Sequence, residues 1–214
     1  MKKKASNFRK KKELFMHFHR YLYIAIFTLF SATAVHSGPQ NWSEADEYMP
    51  IQQDKFCELT NNFRQKLADA TKTQNDIKVN LVKKERHEDL DALLPGGNFK
   101  DWIVKTKQIR QVDNGDAAIE FELPCNVNIG SSKFIVEGES KWTATVKYDS
   151  REYKQLVKLS FGDFAIISGS FIKINEFVKS QKETFYASRP LSSDGNDAGG
   201  EFFLAKLNYI ASAN

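Results

Sequence analysis

The sequence predicts a mainly β protein with N-terminal α structure, in which a five-stranded barrel is preceded by one or two helices. Three observations predict it. Apolar residues recur at steps of three and four between Ile51 and Thr73, the spacing of one helix face. From Asn98 the apolar period shortens to two, the spacing of a strand. Turn residues, such as Asp113-Asn114-Gly115-Asp116, then divide the second half into short segments. The chain divides on this reading into an export signal (1–37), a helical segment packed on the barrel (38–97) and the barrel (98–214).

The first segment reads as a secretory signal. Lys2, Lys3, Lys4, Arg9, Lys10, Lys11, Lys12 and Arg20 precede an apolar run from Tyr21 to Val35, followed by Ser37-Gly38-Pro39. Basic, apolar and small-residue regions in that order define a signal peptide. The run is about 15 residues, whereas a helix crossing a bilayer needs about 20. Retention as an uncleaved anchor is the alternative. Cleavage fits before Gly38 or before Val35, and no Cys follows the run to accept a lipid. A periplasmic or secreted location is expected, with no stable membrane span after cleavage.

Removing this segment reverses the charge. Of 31 basic and 27 acidic residues, 8 and 1 lie in 1–37, so the remainder carries 23 against 26, a net of −3 in place of +4. The electrostatic pull toward nucleic acid that a basic chain would exert is absent.

Residues 38–50 are polar and predict a loose lead-in. The helix over Ile51–Thr73 places Phe56, Leu59, Phe63, Leu67 and Ala70 on one stripe. A second helical segment falls within 74–94, where Lys83–Asp91 alternates in charge, and stops at Leu93-Leu94-Pro95-Gly96-Gly97. Phe99–Val112 is a long strand, and the 113–116 turn leads into Ala117–Leu123. There Ala117, Ile119, Phe121 and Leu123 point one way and Ala118, Glu120 and Glu122 the other. Phe134–Val136 is a short strand. Lys141–Tyr148 is a strong one, with Trp142, Ala144, Val146 and Tyr148 on its inner face. The pairing of 124–140 stays open.

Ser150 caps a short helix to Val157, and Leu159–Asp163 turns into a strand from Phe164 to Ile174. Gly169 marks a bulge or barrel corner within it. Glu176–Ser188 is a hairpin arm, Arg189–Gly200 a Ser/Asp/Gly-rich loop, and Phe202–Ile210 the closing strand.

The residue inventory excludes several chemistries. Outside 1–37 the only histidine is His87, which cannot build a His-rich zinc site and reads as a solvated surface imidazole. No nucleophile elbow, P-loop or dinucleotide fingerprint is present. Glu120 and Glu122 share a strand face, the placement glycosidic acid/base chemistry requires, but also that of an ordinary wet face. Cys57 and Cys125 are too far apart in sequence for a redox or zinc-ribbon pair. An oxidising compartment permits a disulfide between them, and two buried thiols are the alternative. No catalytic residue, metal or cofactor is expected.

A five-stranded barrel with a helix between its third and fourth strands is the OB plan. Tyr153–Phe171, YKQLVKLSFGDFAIISGSF, resembles OB domains of the tRNA-anticodon-binding-like type, which share a leucine-containing helix, a Gly-Asp turn and a strand bearing an interior glycine. Trp102 after Phe99-Lys100-Asp101 resembles the opening strand of uncharacterised exported bacterial proteins with a helix ahead of such a barrel. The resemblance spans roughly the last 115 residues and implies a fold far more than an activity.

Two functions are expected to compete. One is a non-catalytic binding module whose candidate ligand residues are Trp102, Lys105, Lys107, Arg110, Lys141, Trp142, Lys147 and Tyr148. Cations beside aromatics suit single strands or acidic glycans, but export disfavours nucleic acid and favours a protein or cell-envelope partner. The other is an accessory component of an envelope secretion or conjugation assembly, docking through the stripe of Phe56, Phe63 and Leu67. An envelope hydrolase is a weaker third.

Overall fold

The computed structural model describes residues 38–136, 139–172 and 201–213. The expected export signal, the hairpin arm at 176–188 and the loop at 189–200 lie outside them.

The lead-in is ordered rather than loose. Asn41 accepts a hydrogen bond from the Glu44 amide (3.1 Å) and caps α1 (Trp42–Ala45), and a short 3₁₀ turn, Asp46–Tyr48, follows. Trp42 meets Phe164 edge-on, with ring centroids 4.9 Å apart, and Ala45 is fully buried. The polar composition of the segment conceals these two anchors.

Helix α2 (Ile51–Lys72) begins after Pro50, whose extended backbone sits ahead of the first turn. It buries Gln53, Phe56, Cys57, Thr60, Phe63, Leu67 and Ala70. Leu59 is half-buried at the edge of this stripe. Gln74, with φ of 51°, and Asn75, which accepts from the Ile77 and Lys78 amides, reverse the chain into α3 (Asp76–Leu93). Pro95-Gly96-Gly97 ends the helical hairpin, with both glycines at positive φ.

The barrel is closed in the order β1-β2-β3-β7-β6. Its strands are β1 (Asn98–Gln111), β2 (Ala117–Leu123), β3 (Val127–Gly130), β6 (Phe164–Phe171) and β7 (Glu201–Ser212). All barrel pairs are antiparallel except β3 with β7, and helix α4 (Arg151–Leu156) lies between the third and fourth barrel strands. This is an OB-like barrel. The 14-residue β1 reaches both neighbours by pairing β6 with its first half and β2 with its second, bending at bulges after Phe99 and Thr106. Gly169 stands at the register shift between β6 and β7, where a Cβ would come 2.3 Å from the Lys206 carbonyl oxygen. Ser150 accepts from the Tyr153 amide (3.1 Å) and caps α4 as expected.

Two expectations about strands are corrected. The third barrel strand is β3, a four-residue piece buried throughout. Residues 141–148 are not a barrel strand. Glu139–Thr143 is β5, paired with β4 (Ser132–Val136) in a separate two-stranded sheet. Ala144, at φ of 57°, ends β5, and Tyr148 points to solvent instead of inward.

The core joins α2 to the barrel. Phe56 lies within 5.0–5.7 Å, centroid to centroid, of Trp102, Phe171 and Phe203. Cys57 and Cys125 form a disulfide with Cα atoms 5.2 Å apart, closing a separation of 68 residues. In the chain-entropy account such a closure stabilises by about 4 kcal/mol. Gln53 is fully buried, donates to the Ile103 carbonyl (2.6 Å) and accepts from the Ile103 amide (2.8 Å). One side chain thus does for β1 what a neighbouring strand would do. Gln53→Leu leaves both backbone groups buried and unpaired, so equilibrium urea unfolding should show a loss of about 3 kcal/mol. A loss below about 1 kcal/mol would mean water replaces the amide there.

Candidate ligand-binding rim

The β1–β2 turn is built on its last residue. Val112 donates to the Asp116 carbonyl (2.9 Å), Gly115 donates to the Val112 carbonyl (2.8 Å), and Gly115 takes φ of 86°. Asp116 is 4% exposed, yet both its carboxylate oxygens are occupied. Oδ1 accepts from the Tyr148 amide (3.0 Å); Oδ2 accepts from Lys147 Nζ (2.9 Å), Asn114 Nδ2 (3.0 Å) and Thr145 Oγ1 (3.2 Å). The Tyr148 amide, then the Lys147 ammonium, hold its pKa down at about 2. Ala117 and Val146 exchange backbone hydrogen bonds beside it, so the 144–149 segment is clasped to the hairpin.

This clasp presents side chains outward. Tyr148 is 64% exposed and meets Tyr153 edge-on at 5.2 Å. On the other flank of the hairpin, the Arg110 guanidinium sits 5.0 Å from the Trp142 ring centroid and donates to Gln108. Arg110 faces Ala118 across β1–β2, a small partner on the outer side of the strand pair.

Four of the expected ligand residues, Arg110, Trp142, Lys147 and Tyr148, therefore flank one hairpin. Lys105 and Lys107 lie further along the same outer face, but acids oppose them. Lys105 pairs in register with Glu122, and Lys107 Nζ is 3.4 Å from Glu120 and 3.2 Å from Asn128 Oδ1. Glu120 thus offsets Lys107, and Glu122 stands across the strand pair from Lys105. Lys141 sits in β5 opposite Phe134. Trp102 does not belong to the face: it is fully buried, and its indole N–H donates to Gln52. It falls in step with buried Val104 and Thr106, while Lys105 takes the other face of β1.

Three residues of the rim escape a sequence reading. Asp116 looks like a turn residue, and Tyr153 and Thr145 become relevant only once Ala144 and Asp149, both at positive φ, fold the chain back. His87 is another correction: it is half-buried, with Nε2 3.2 Å from Asp91 Oδ2 one helical turn on. A buried ion pair also went unforeseen. Arg86 of α3 meets Glu201 at the start of β7, its guanidinium 5.4 Å from the Phe203 ring centroid. Burial first, and then the charge of Arg64, lower the Arg86 pKa to about 10, which leaves it cationic at neutral pH. Among the described residues no group of three or more His, Cys, Asp or Glu side chains is placed to hold a metal ion.

No protein-family model, curated protein or solved structure matches this chain.

Asp116 has a folded pKa of about 2 against an ordinary 3.8. A lowered folded pKa adds stability that is complete above the ordinary value and is lost as pH falls toward the folded one. Urea unfolding from pH 5 down to 2 should therefore weaken more steeply in the native protein than in Asp116→Asn, with the difference confined to below about pH 4. Parallel pH profiles would remove Asp116 from the clasp.

Proposed function

We propose that this chain is an exported, non-catalytic binding protein that holds a protein or cell-envelope ligand at the rim of an OB-like barrel. The single observation that carries the reading is that exposed Arg110, over half-buried Trp142, and exposed Tyr148, against half-buried Tyr153, both stand beside a hairpin fixed by Asp116. In OB barrels the loop joining the first two strands and the adjoining strand face commonly take oligomeric ligands. Aromatic and arginine side chains on a rigid frame lose little entropy on binding and supply most of the affinity at such surfaces. The basic-apolar-small order of residues 1–37 supports export. No cofactor or catalytic group enters the reading.

The accessory-component reading changes its surface. Phe56, Phe63 and Leu67 are buried within the chain itself and cannot serve a partner. Ile77 and Leu81 of α3 are exposed instead, one turn apart, and they favour docking through the helical hairpin.

Affinity capture from an envelope fraction separates the two readings. Arg110→Ala with Tyr148→Ala should weaken capture of the ligand about 30-fold, the effect of losing roughly 2 kcal/mol at a binding centre. Ile77→Asp with Leu81→Asp should leave it unchanged. The reverse pattern would move the site to the helices.

A further inference from the structure

The β1–β2 turn carries a reactive pair that ligand binding does not use. Asn114-Gly115 is the only Asn-Gly pair in the sequence. In such a pair the glycine amide nitrogen can attack the asparagine side-chain carbonyl carbon, because the glycine brings no Cβ to block the approach. The side-chain carbon–nitrogen bond breaks and ammonia leaves, giving a five-membered succinimide. Water then opens the ring at either carbonyl, to aspartate or to isoaspartate, with no change of oxidation state.

The folded turn engages both reacting groups in other bonds. Asn114 Oδ1 accepts from the Asp116 amide (3.1 Å), and Nδ2 donates to Asp116 Oδ2 (3.0 Å). The Gly115 amide donates to the Val112 carbonyl (2.8 Å). The nitrogen must give up that proton, and the side chain must turn away from Asp116, before the new bond can form. Water for the second step is at hand, since Asn114 is exposed. The hold on Asn114 is only as firm as Asp116, and Asp116 is fixed from across the clasp by Lys147 Nζ, Thr145 Oγ1 and the Tyr148 amide. Residues some thirty positions away in sequence therefore set how often this pair is free to react.

The products do not fit the clasp. Aspartate at 114 has no donor for Asp116 Oδ2 and sets a second carboxylate where the amide stood, 3.0 Å from the first. Like charges that close disfavour the ionised form of each. Isoaspartate lengthens the main chain inside the turn that the Val112–Asp116 hydrogen bond (2.9 Å) closes. Either product loosens the carboxylate that accepts from the Tyr148 amide. We propose that Asn114 is a deamidation site gated by the Asp116 clasp, and that its conversion opens the clasp irreversibly and releases Tyr148. The inference rests on the turn itself and holds whatever ligand the rim takes.

The test ages the full chain in mildly alkaline buffer, folded and in urea, and follows residue 114 by peptide mapping with an isoaspartate assay. Conversion should be about tenfold slower in the folded protein than in urea. Lys147→Ala with Thr145→Ala leaves the residues around Asn114 intact. It should remove most of that gap while the rate in urea stays the same. Lys147→Ala alone, at a largely exposed side chain, should give a smaller rise in the same direction. After ageing, the Tyr148 amide of the native protein should exchange its hydrogen about tenfold faster than before. Asn114→Ser cannot form the succinimide and should show no change on ageing. No conversion even in urea, equal rates folded and unfolded, no acceleration by the Lys147 and Thr145 substitutions, or conversion that leaves Tyr148 exchange unchanged would each overturn the proposal.

Discussion

A barrel strand that pairs with two neighbours over different halves of its length leaves part of its backbone without a strand partner, and here the Gln53 amide fills that place. Its two hydrogen bonds to Ile103 fix where α2 lies along β1 and how the helix is turned. The rest of the interface follows from that setting. Three residues on, Phe56 enters the aromatic group of Trp102, Phe171 and Phe203; four residues on, Cys57 meets Cys125 between β2 and β3. Arg86 of α3 then reaches Glu201 at the opening of β7. A buried pair of this kind adds little net stability but strongly penalises any arrangement that separates it. Helices and barrel are thereby held to one relative position by hydrogen bonds, aromatic packing, a covalent bond and a charge pair.

The outer face of β1 and β2 alternates lysine with glutamate, so most of its charge is compensated locally and its net field is small. Arg110 lies beyond the last glutamate and stacks on Trp142, with no carboxylate across the strand pair. Asp116 plays the opposite part. It gathers four donors inward and so turns Tyr148 outward. The rim owes its shape to a buried carboxylate, and its recognition chemistry to Tyr148, which that carboxylate turns outward, and to Arg110 over Trp142.

Much of the architecture was legible from periodicity. Helices α2 and α3, the long β1, the alternation of β2, the Ser150 cap and the bulge at Gly169 all follow from local rules that the fold obeys. What escaped has a common physical cause. Val127–Gly130 alternates, but it is only four residues long and follows Asn126, at φ of 56°, in the turn after β2. Lys141–Tyr148 alternates well, but the positive φ of Ala144 breaks it, and nothing in the composition announces an alanine in that region. The candidate site was legible in part for the same reason. Arg110 and Trp142 stand out as a cation and a ring, whereas Trp102 is an aromatic of the core. Trp102 falls in step with buried Val104 and Thr106, whereas Arg110 follows the register shift after Thr106.

Native-state hydrogen exchange tests the central claim, that α2 is part of the barrel's cooperative unit. The account predicts that amides of the buried α2 segment around Phe56–Phe63 open with the same free energy and denaturant dependence as those of β1 and β6, through global unfolding. Exchange of the helix at a distinctly lower free energy, with the β1 and β6 amides still protected, would contradict it.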